Sequence, residues 1–564
     1  MQNQVRNPLP GVVYADPERL RRYVEAGALP LESLATAFRR SFARHAARIA
    51  LYTPEGDVTY AELDEISDRF GAALIGLGIK PQERALFQSG NCRELLFAFI
   101  GCLKAGVIPV CTLASHREHE IGYLGCHADA RIHIVQGDDP KADLPAFALK
   151  MTAEIPTMRH VIVLRGRRDG CLSFDDLLAA TDPKAARRTV EAIEHDPFQV
   201  CVFQLSGGTT GVPKIIPRMS NDYLLNMLLT AQTLGYTAED VMFMPMPMIH
   251  NACMVCFWGP TLLSGAAFAI PAEMTPEAWG DILRRARPTW LGLIRPLLPR
   301  LETMLDRGLA TLDRVRAVWS PDAARVFRTK FGLPSHSMFG MTEGVNMYTH
   351  LDDPEEVIDW GVGRPMSAFD EVRLVRAGTD EEVEDDEPGE LVCRGPYTFA
   401  GYYNAPDRNA QCVDAQGFYR SGDLLIRRRI DGETYYAFSG RNKDLVNRGH
   451  EKVNAEELET AVVAHPAVLQ CAVIGMPDAT LGERICVYIV PRERQQAPTV
   501  AELGSFLESQ GLAKFKWPER VETIEALPVT RVGKLDKAIL RADIAAKLGV
   551  SVDEPGRGGW RKQA

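Results

Sequence analysis

Residues 205–214, LSGGTTGVPK, pack three glycines and three hydroxyl residues into the eight positions from Ser206 to Pro213 and close on Lys214. Side chains as small as those of Gly207, Gly208 and Gly211 let backbone N–H groups approach a polyanion, and Ser206, Thr209, Thr210 and Lys214 supply further donors. A phosphate cradle is one reading; a flexible surface turn is the other. The Walker A pattern is excluded, because it needs Gly-Lys-Ser/Thr in contiguity and opens a helix, whereas Val212 and Pro213 separate Gly211 from Lys214.

Four more islands follow. In MFGMTEG, residues 338–344, a Gly-bounded turn presents the Thr342 hydroxyl and the Glu343 carboxylate together. Glu343 could ligate Mg²⁺, which favours a carboxylate plus substrate phosphate oxygens. The local alternative is a helix N-terminus capped by Thr342. In YRSGD, residues 419–423, Asp423 in a tight turn is suited to accept two vicinal ribose hydroxyls, or to cap its own turn. GRNKD, residues 440–444, reads as a linker or a hinge. Near the C-terminus, PVTRVGKLDK sets Lys534 in a glycine turn. Each has an ordinary structural explanation alone; together and in this order they do not.

The elements that must position these residues alternate between strand and helix. Leu34, Phe38, Phe42 and Ala46 form one helix face, and Leu63, Ile66, Phe70 and Leu74 another, with strands at residues 84–87, 132–135 and 161–164. A β-branched run at residues 199–203 leads into the glycine loop, a helix is expected near residues 279–286, and a strand at 289–294. Such alternation implies parallel sheets covered by helices. From residue 360 to 440 the pattern becomes short, turn-rich strands at 371–375, 389–394 and 433–439. After residue 444 a new alternation begins, long enough for a small domain. The expected fold is α/β: a core over residues 1–439 with a small β-rich subdomain, a hinge at 440–444, and a mobile α+β domain over 445–564.

At 564 residues the chain exceeds one ordinary core. With a net charge of −10 and no basic stripe it is not built for nucleic acid, so its phosphate chemistry concerns a small molecule. No basic-then-apolar leader opens the chain and no uninterrupted apolar run of about 18 residues occurs, so a cytoplasmic protein without membrane spans is expected. The cysteines are dispersed in apolar segments, as reduced core thiols are; Cys253 and Cys256 form a CxxC pair with no second cluster at zinc spacing.

In this order the islands resemble the core motifs of the acyl-adenylating superfamily of acyl-CoA synthetases, nonribosomal-peptide adenylation domains and luciferases. The resemblance covers roughly residues 30 to 545. Pro217-Arg218, Asn221-Asp222-Tyr223, His250-Asn251 and residues 351–356 are similar to the stand-alone aryl-acid AMP ligases, which load 2,3-dihydroxybenzoate or salicylate onto siderophore carrier proteins. The resemblance implies that an acid and ATP give an acyl-adenylate and pyrophosphate, after which a thiol takes the acyl group. It implies ATP and Mg²⁺ as cofactors, with residues 206–214 on the β- and γ-phosphates and Glu343, beside Thr342, on the metal. Asp423 and Arg441 would take the ribose. Lys534 would reach the carboxylate and α-phosphate from the small domain, and Lys443 would be the hinge about which that domain rotates between half-reactions.

The resemblance also assigns the acid. Asn251 hydrogen-bonds an ortho hydroxyl, His250 lies beside the carboxylate, and Met338 and Gly340 belong to the substrate side. Cys256 occupies the position that is serine for 2,3-dihydroxybenzoate and cysteine for salicylate. A hydroxyl can pair with a 3-OH and a thiol is a weak donor, so salicylate leads. Three departures bear on this. Ala252 stands where relatives carry an aromatic, Val318-Trp319-Ser320-Pro321-Asp322 replaces a Gly-Gly-Ala loop and makes Trp319 either pocket wall or core, and His450 replaces a glycine near the thiol entrance. A larger acid such as 3-hydroxyanthranilate stays open. No phosphopantetheine attachment site follows Lys537, so the thiol comes from a carrier protein in trans or from coenzyme A. A catabolic aryl-CoA ligase is the alternative within the class. A P-loop NTPase or kinase, releasing ADP rather than AMP, is the alternative outside it.

Overall fold

The computed structural model describes residues 4–206, 213–294, 297–321, 323–376, 378–441, 445–449, 451–493, 495–528, 535, 537–551 and 561–562. Gly207, Gly208, Thr209, Thr210, Gly211, Asp322, Lys443, His450 and Lys534 lie outside the described residues, and Arg441 is described in its backbone alone.

Two seven-stranded sheets carry the larger part of the chain. One runs Leu172–Ser173, His160–Leu164, Ala130–Gln136, Arg84–Gln88, Ile108–Val110, Val200–Ser206 and Lys214–Met219. The other runs Ser335–His336, Ala317–Trp319, Trp290–Gly292, Val241–Phe243, Ala267–Ala269, Ile49–Thr53 and Gly56–Thr59. Each is parallel except for a terminal antiparallel hairpin, Val200–Ser206 with Lys214–Met219 in the first and Ile49–Thr53 with Gly56–Thr59 in the second. One continuous apolar core joins them, with Phe87 and Val202 from one sheet, Leu51 and Leu291 from the other, and Phe38, Phe70 and Leu96 from the helices. Helix-covered parallel sheets are the expected architecture, since strands buried on both faces need apolar runs and long crossovers.

The helix Tyr60–Gly76 shows how the sequence sets these elements. Thr59 Oγ1 accepts from the Glu62 backbone N–H while Glu62 accepts from the Thr59 N–H, a reciprocal cap on the first turn. Its buried face carries Asp64 and Asp68; both receive Lys104 Nζ, at 2.5 and 2.6 Å, from Arg93–Lys104, and both also pair with Arg187, so two cations balance the two carboxylates.

Antiparallel strands Glu371–Val375, Pro388–Arg394, Tyr419–Ile430 and Glu433–Arg441 form a four-stranded sheet with its own core around Leu391, Tyr402 and Leu425. A further sheet begins at Leu445–Arg448 and is completed by Glu451–Asn454, Gly482–Pro491, Val468–Asp478 and Arg520–Thr523. It packs on the helices Ala455–Val463 and Val500–Ser509 on one side, and Lys537–Leu548 covers it through Leu540 and Ile544. Lys516 joins this last unit to the first sheet, donating to Glu457 at 2.7 Å and to Glu120 on the helix Glu118–His127 at 2.9 Å. No helix among the described residues is long and apolar enough to cross a membrane.

Candidate active site

The glycine-rich loop connects two antiparallel strands. Val200–Ser206 pairs with Lys214–Met219 so that Ser206 faces Lys214 at the open end of the ladder. A Walker loop instead runs from strand to helix, so here no helix N-terminus follows to help hold phosphate. Lys214 extends over the Tyr402 ring, 5.0 Å from its centroid. The Tyr402 hydroxyl donates to Glu343 Oε1 at 2.7 Å, and the Tyr419 hydroxyl lies 3.0 Å from that of Tyr402. Tyr402 gives its single proton to the carboxylate, so Tyr419 is the donor to Tyr402. Three islands far apart in sequence, those of Lys214, Glu343 and Tyr419, thus meet in one chain of contacts.

Glu343 sits in the turn of a hairpin between Met338–Gly340 and Asn346–Tyr348. The alternative of Thr342 as a helix cap fails, because the turn leads into a strand. The Thr342 carbonyl instead accepts from Arg218 Nη1 at 2.7 Å. Arg218 is fully buried and also reaches the Tyr397 carbonyl at 2.8 Å and Asp222 at 3.0 Å. Burial pushes the Asp222 carboxyl up to about 6 against the opposing pull of Arg218. One arginine therefore ties the hairpin of the glycine loop to the turn of the glutamate. Glu343 is buried, and among the described residues only Tyr402 donates to its carboxylate. A hard oxygen ligand of this kind fits Mg²⁺, whose remaining ligands are commonly water and phosphate oxygens. Gly340 faces Asn346 across the hairpin, and a Cβ there would lie 2.3 Å from Asn346 Oδ1.

At an irregular step of the strand Tyr419–Ile430, where the ladder to Pro388–Arg394 skips residues 421–423 and Gly422 takes a φ of +76°, lies Asp423. Its backbone N–H donates to Ser421 Oγ at 3.0 Å, and in the register it pairs with Arg441.

The residues expected on the acid side lie at the start of one helical stretch that begins with Asn251–Cys253. His250 caps it, with Nδ1 accepting from the Ala252 N–H at 3.2 Å. Asn251 is buried, and its Oδ1 accepts from the Tyr223 hydroxyl at 2.7 Å. That hydroxyl accepts in turn from Gln204 Nε2 at 3.0 Å and has two acceptors in reach, Asn251 Oδ1 and Met254 Sδ at 3.1 Å; the thioether is the weaker acceptor, so the proton goes to Asn251. The relay assigns the carboxamide: with Oδ1 engaged, Nδ2 is the donor left for a ligand.

Met254–Trp258 then adopts π-helical hydrogen bonding, with the Gly259 N–H reaching Met254 O. Two residues explain the local shift. A Cβ at Gly259 would lie 2.6 Å from that same carbonyl, and Pro260 has no N–H to give the carbonyl four residues back, that of Cys256. The Cys256 carbonyl accepts from the Tyr236 hydroxyl at 3.0 Å instead. Single π turns of this kind recur at functional sites. Cys256 is almost wholly buried, its Sγ takes the Tyr348 hydroxyl at 3.1 Å, and burial pushes the thiol up to about 12. Tyr348 faces Met338 across the hairpin that carries Glu343, so Cys256 and Glu343 rest on the same hairpin. Trp319 packs edge-on to Phe257 with 5.6 Å between centroids inside the main core, its Nε1 buried without a hydrogen-bond partner among the described residues. Ala252 is half-buried beside that core.

The sequence profile described as "AMP-binding enzyme" matches residues 38–403, and that described as "AMP-binding enzyme C-terminal domain" matches residues 457–534. The chain belongs to the AMP-binding enzyme family. It is an adenylate-forming ligase with the fold of that family. The "2,3-dihydroxybenzoate-AMP ligase" of Bacillus subtilis (strain 168) is 36% identical over 541 residues, covering 94% of this chain and 97% of that protein. The "Salicyl-AMP ligase / salicyl-S-ArCP synthetase" of Mycobacterium tuberculosis is 37% identical over 499 residues, covering 86% of this chain and 85% of its own length. Among solved structures, the apo structure of MbtA from Mycobacterium smegmatis is similar with a TM-score of 0.71 and 32% identity, covering 94% of this chain and 98% of that one.

Within the family setting, sequence reasoning had no role for Gln204, Tyr236, Tyr348 or Tyr402. Arg218 and Tyr223 stood in quoted motifs without a function. Pro260 was the available signal for the distorted helix, since a proline removes one helical donor wherever it falls inside a helix.

Proposed function

We propose that the protein activates an ortho-hydroxy aryl carboxylic acid, salicylate foremost, with ATP to form the acyl-adenylate and pyrophosphate, and passes the acyl group to a thiol. The observation that supports this reading best is the relay Gln204–Tyr223–Asn251, which leaves the Asn251 amide N–H as a buried donor for an ortho oxygen. Cys256, held by Tyr348 and protonated, suits a bare ring edge better than a second hydroxyl. The half-buried Ala252 favours a second reading, a larger acid such as 3-hydroxyanthranilate, with room where an aromatic side chain would stand.

Attack of a carboxylate on the α-phosphate brings like charges together, so donors and cations must stand where charge accumulates. In this reading residues 206–214 clamp the β- and γ-phosphates, and Lys214 is steered by the Tyr402 ring. Mg²⁺ bound at Glu343 would neutralise phosphate oxygens. Asp423 and Arg441, paired in register, take the ribose hydroxyls. Residues 1–439 form the adenylating core, and residues 440–444 the hinge, centred on Lys443, of a mobile C-terminal domain. Lys534 from that domain completes adenylation and leaves when a pantetheine thiol, of a carrier protein or of coenzyme A, enters.

Acid-dependent pyrophosphate exchange across salicylate, 2,3-dihydroxybenzoate, 3-hydroxyanthranilate and benzoate tests the substrate class, with salicylate expected to lead. Exchange supported by aliphatic acids alone would refute it. Comparing coenzyme A with a pantetheinylated carrier protein as acceptor separates a catabolic ligase from a biosynthetic one.

A further inference from the structure

Between the strand Val241–Phe243 and the helical stretch that begins at Asn251 runs MPMPMIH, residues 244–250, the segment that delivers His250 and Asn251. Met244, Met246, Met248 and Ile249 are buried, so the backbone here needs partners inside the protein. The sequence withholds the usual ones. Pro245 and Pro247 have no N–H, so the parallel ladder that flanks Val241–Phe243 on both sides cannot continue through the segment.

A side chain takes the place of the missing ladder. Asn91 Nδ2 donates to the Met246 carbonyl at 2.7 Å, and Asn91 Oδ1 accepts from the Met248 N–H at 2.8 Å. One carboxamide thus bonds both neighbours of Pro247, as a residue in a parallel ladder bonds both neighbours of the residue opposite it. The Met248 carbonyl accepts from Trp258 Nε1 at 2.8 Å, which ties the end of the π turn to the same residue, and the His250 N–H closes onto the Pro247 carbonyl at 3.0 Å. Asn91 is itself set by the other sheet. It lies just past the strand Arg84–Gln88, in a turn whose Gly90 N–H donates to Gln136 Oε1 at 2.9 Å, at the end of the strand Ala130–Gln136. The residue type matters, because a carboxamide offers a donor and an acceptor side by side, whereas a carboxylate would set a charged oxygen against the Met246 carbonyl.

We infer that Asn91 is a positioning residue of the acid site: acting through the backbone of Met246 and Met248, it fixes from the first sheet where His250 and Asn251 stand. The inference rests on the proposed assignment of Asn251 to the acid. Pyrophosphate exchange by the full-length protein with salicylate and with benzoate, together with thermal unfolding, tests it in Asn91→Asp and Asn91→Ala. Asn91→Asp should raise the acid KM about tenfold and lower the salicylate-over-benzoate ratio of kcat/KM about three- to tenfold, while the KM for ATP stays within about twofold. Asn91→Ala, which removes both bonds, should do so at least as strongly. Asn91→Asp keeps the Met248 bond and the shape of the side chain, so it holds the test open if Asn91→Ala does not fold. A lowered melting temperature with the acid KM and the ratio unchanged would make Asn91 a stabilising residue alone and overturn the inference. Equal rises in the KM for acid and for ATP would overturn it too. A lack of preference for salicylate over benzoate in the unmodified protein would instead refute the ortho-oxygen reading, and the acid KM, measured with whichever aryl acid supports exchange, would still decide on Asn91.

Discussion

Glu343 and Lys214 stand at the ends of β-hairpins, whereas Asn251 and Cys256 stand in a helix whose hydrogen bonding shifts from α to π. In the proposed reading the difference follows from what each side must recognise. A polyphosphate presents equivalent oxygens, so turns rich in small residues with a cation and a carboxylate nearby suffice. An aryl acid presents a face, an edge and one ortho oxygen. Reading these takes side chains held in single orientations, and each here is held by a tyrosine: Asn251 by Tyr223, Cys256 by Tyr348 and Tyr236. The phosphate side is generic and the acid side is individual.

The comparison yields expectations that can break it. The largest effect should come from Glu343→Gln, which keeps the Tyr402 contact and removes the charge. Pyrophosphate exchange should fall about 10²–10³-fold in kcat, with the acid KM nearly unchanged. An equal loss in acid KM would mean that the two sides are not separate. Next is Cys256→Ser. A serine can accept from Tyr348 and still donate, so the preference for 2,3-dihydroxybenzoate over salicylate should rise about tenfold in kcat/KM. A smaller change, about three- to tenfold in kcat, is expected of Tyr402→Phe, which removes one hydrogen bond from Glu343. An unaltered rate would show that Tyr402 positions nothing. Least of all, alkylation of Cys256 followed by peptide mass spectrometry should stay slow and rise about tenfold per pH unit from about pH 7 to 9.5 without a plateau, because burial holds the thiol at about 12, whereas an ordinary thiol with pKa near 8.5 would level off toward the top of that range. A plateau there would show an ordinary exposed thiol.

Legibility in the sequence divides along the same line. The glycine loop, Glu343 and Asp423 could be singled out as candidates because phosphate and ribose chemistry calls for short local patterns, and the alternating sheets were readable because strand and helix periodicities are local too. What stayed hidden was carried by distance. Tyr223 reaches Asn251 across 28 positions, Tyr348 reaches Cys256 across 92, and Tyr402 reaches Glu343 across 59. Such pairs exist only once the fold has brought them together. Where local reading left two alternatives, tertiary pairing chose. The Thr342 turn is the bend of a hairpin and not a helix start, and Asp423 keeps a turn-like step inside a strand, paired with Arg441 on one side while the ladder to Pro388–Arg394 skips residues 421–423.

The central claim is that the acid side reads an ortho oxygen through an Asn251 amide oriented by Tyr223. The most direct test is the ratio of kcat/KM for salicylate over benzoate in pyrophosphate exchange, measured for the unmodified protein, Tyr223→Phe and Asn251→Leu. The ratio should fall by about three- to tenfold in Tyr223→Phe and approach one in Asn251→Leu, while the KM for ATP holds. A ratio unchanged in both variants would contradict the account.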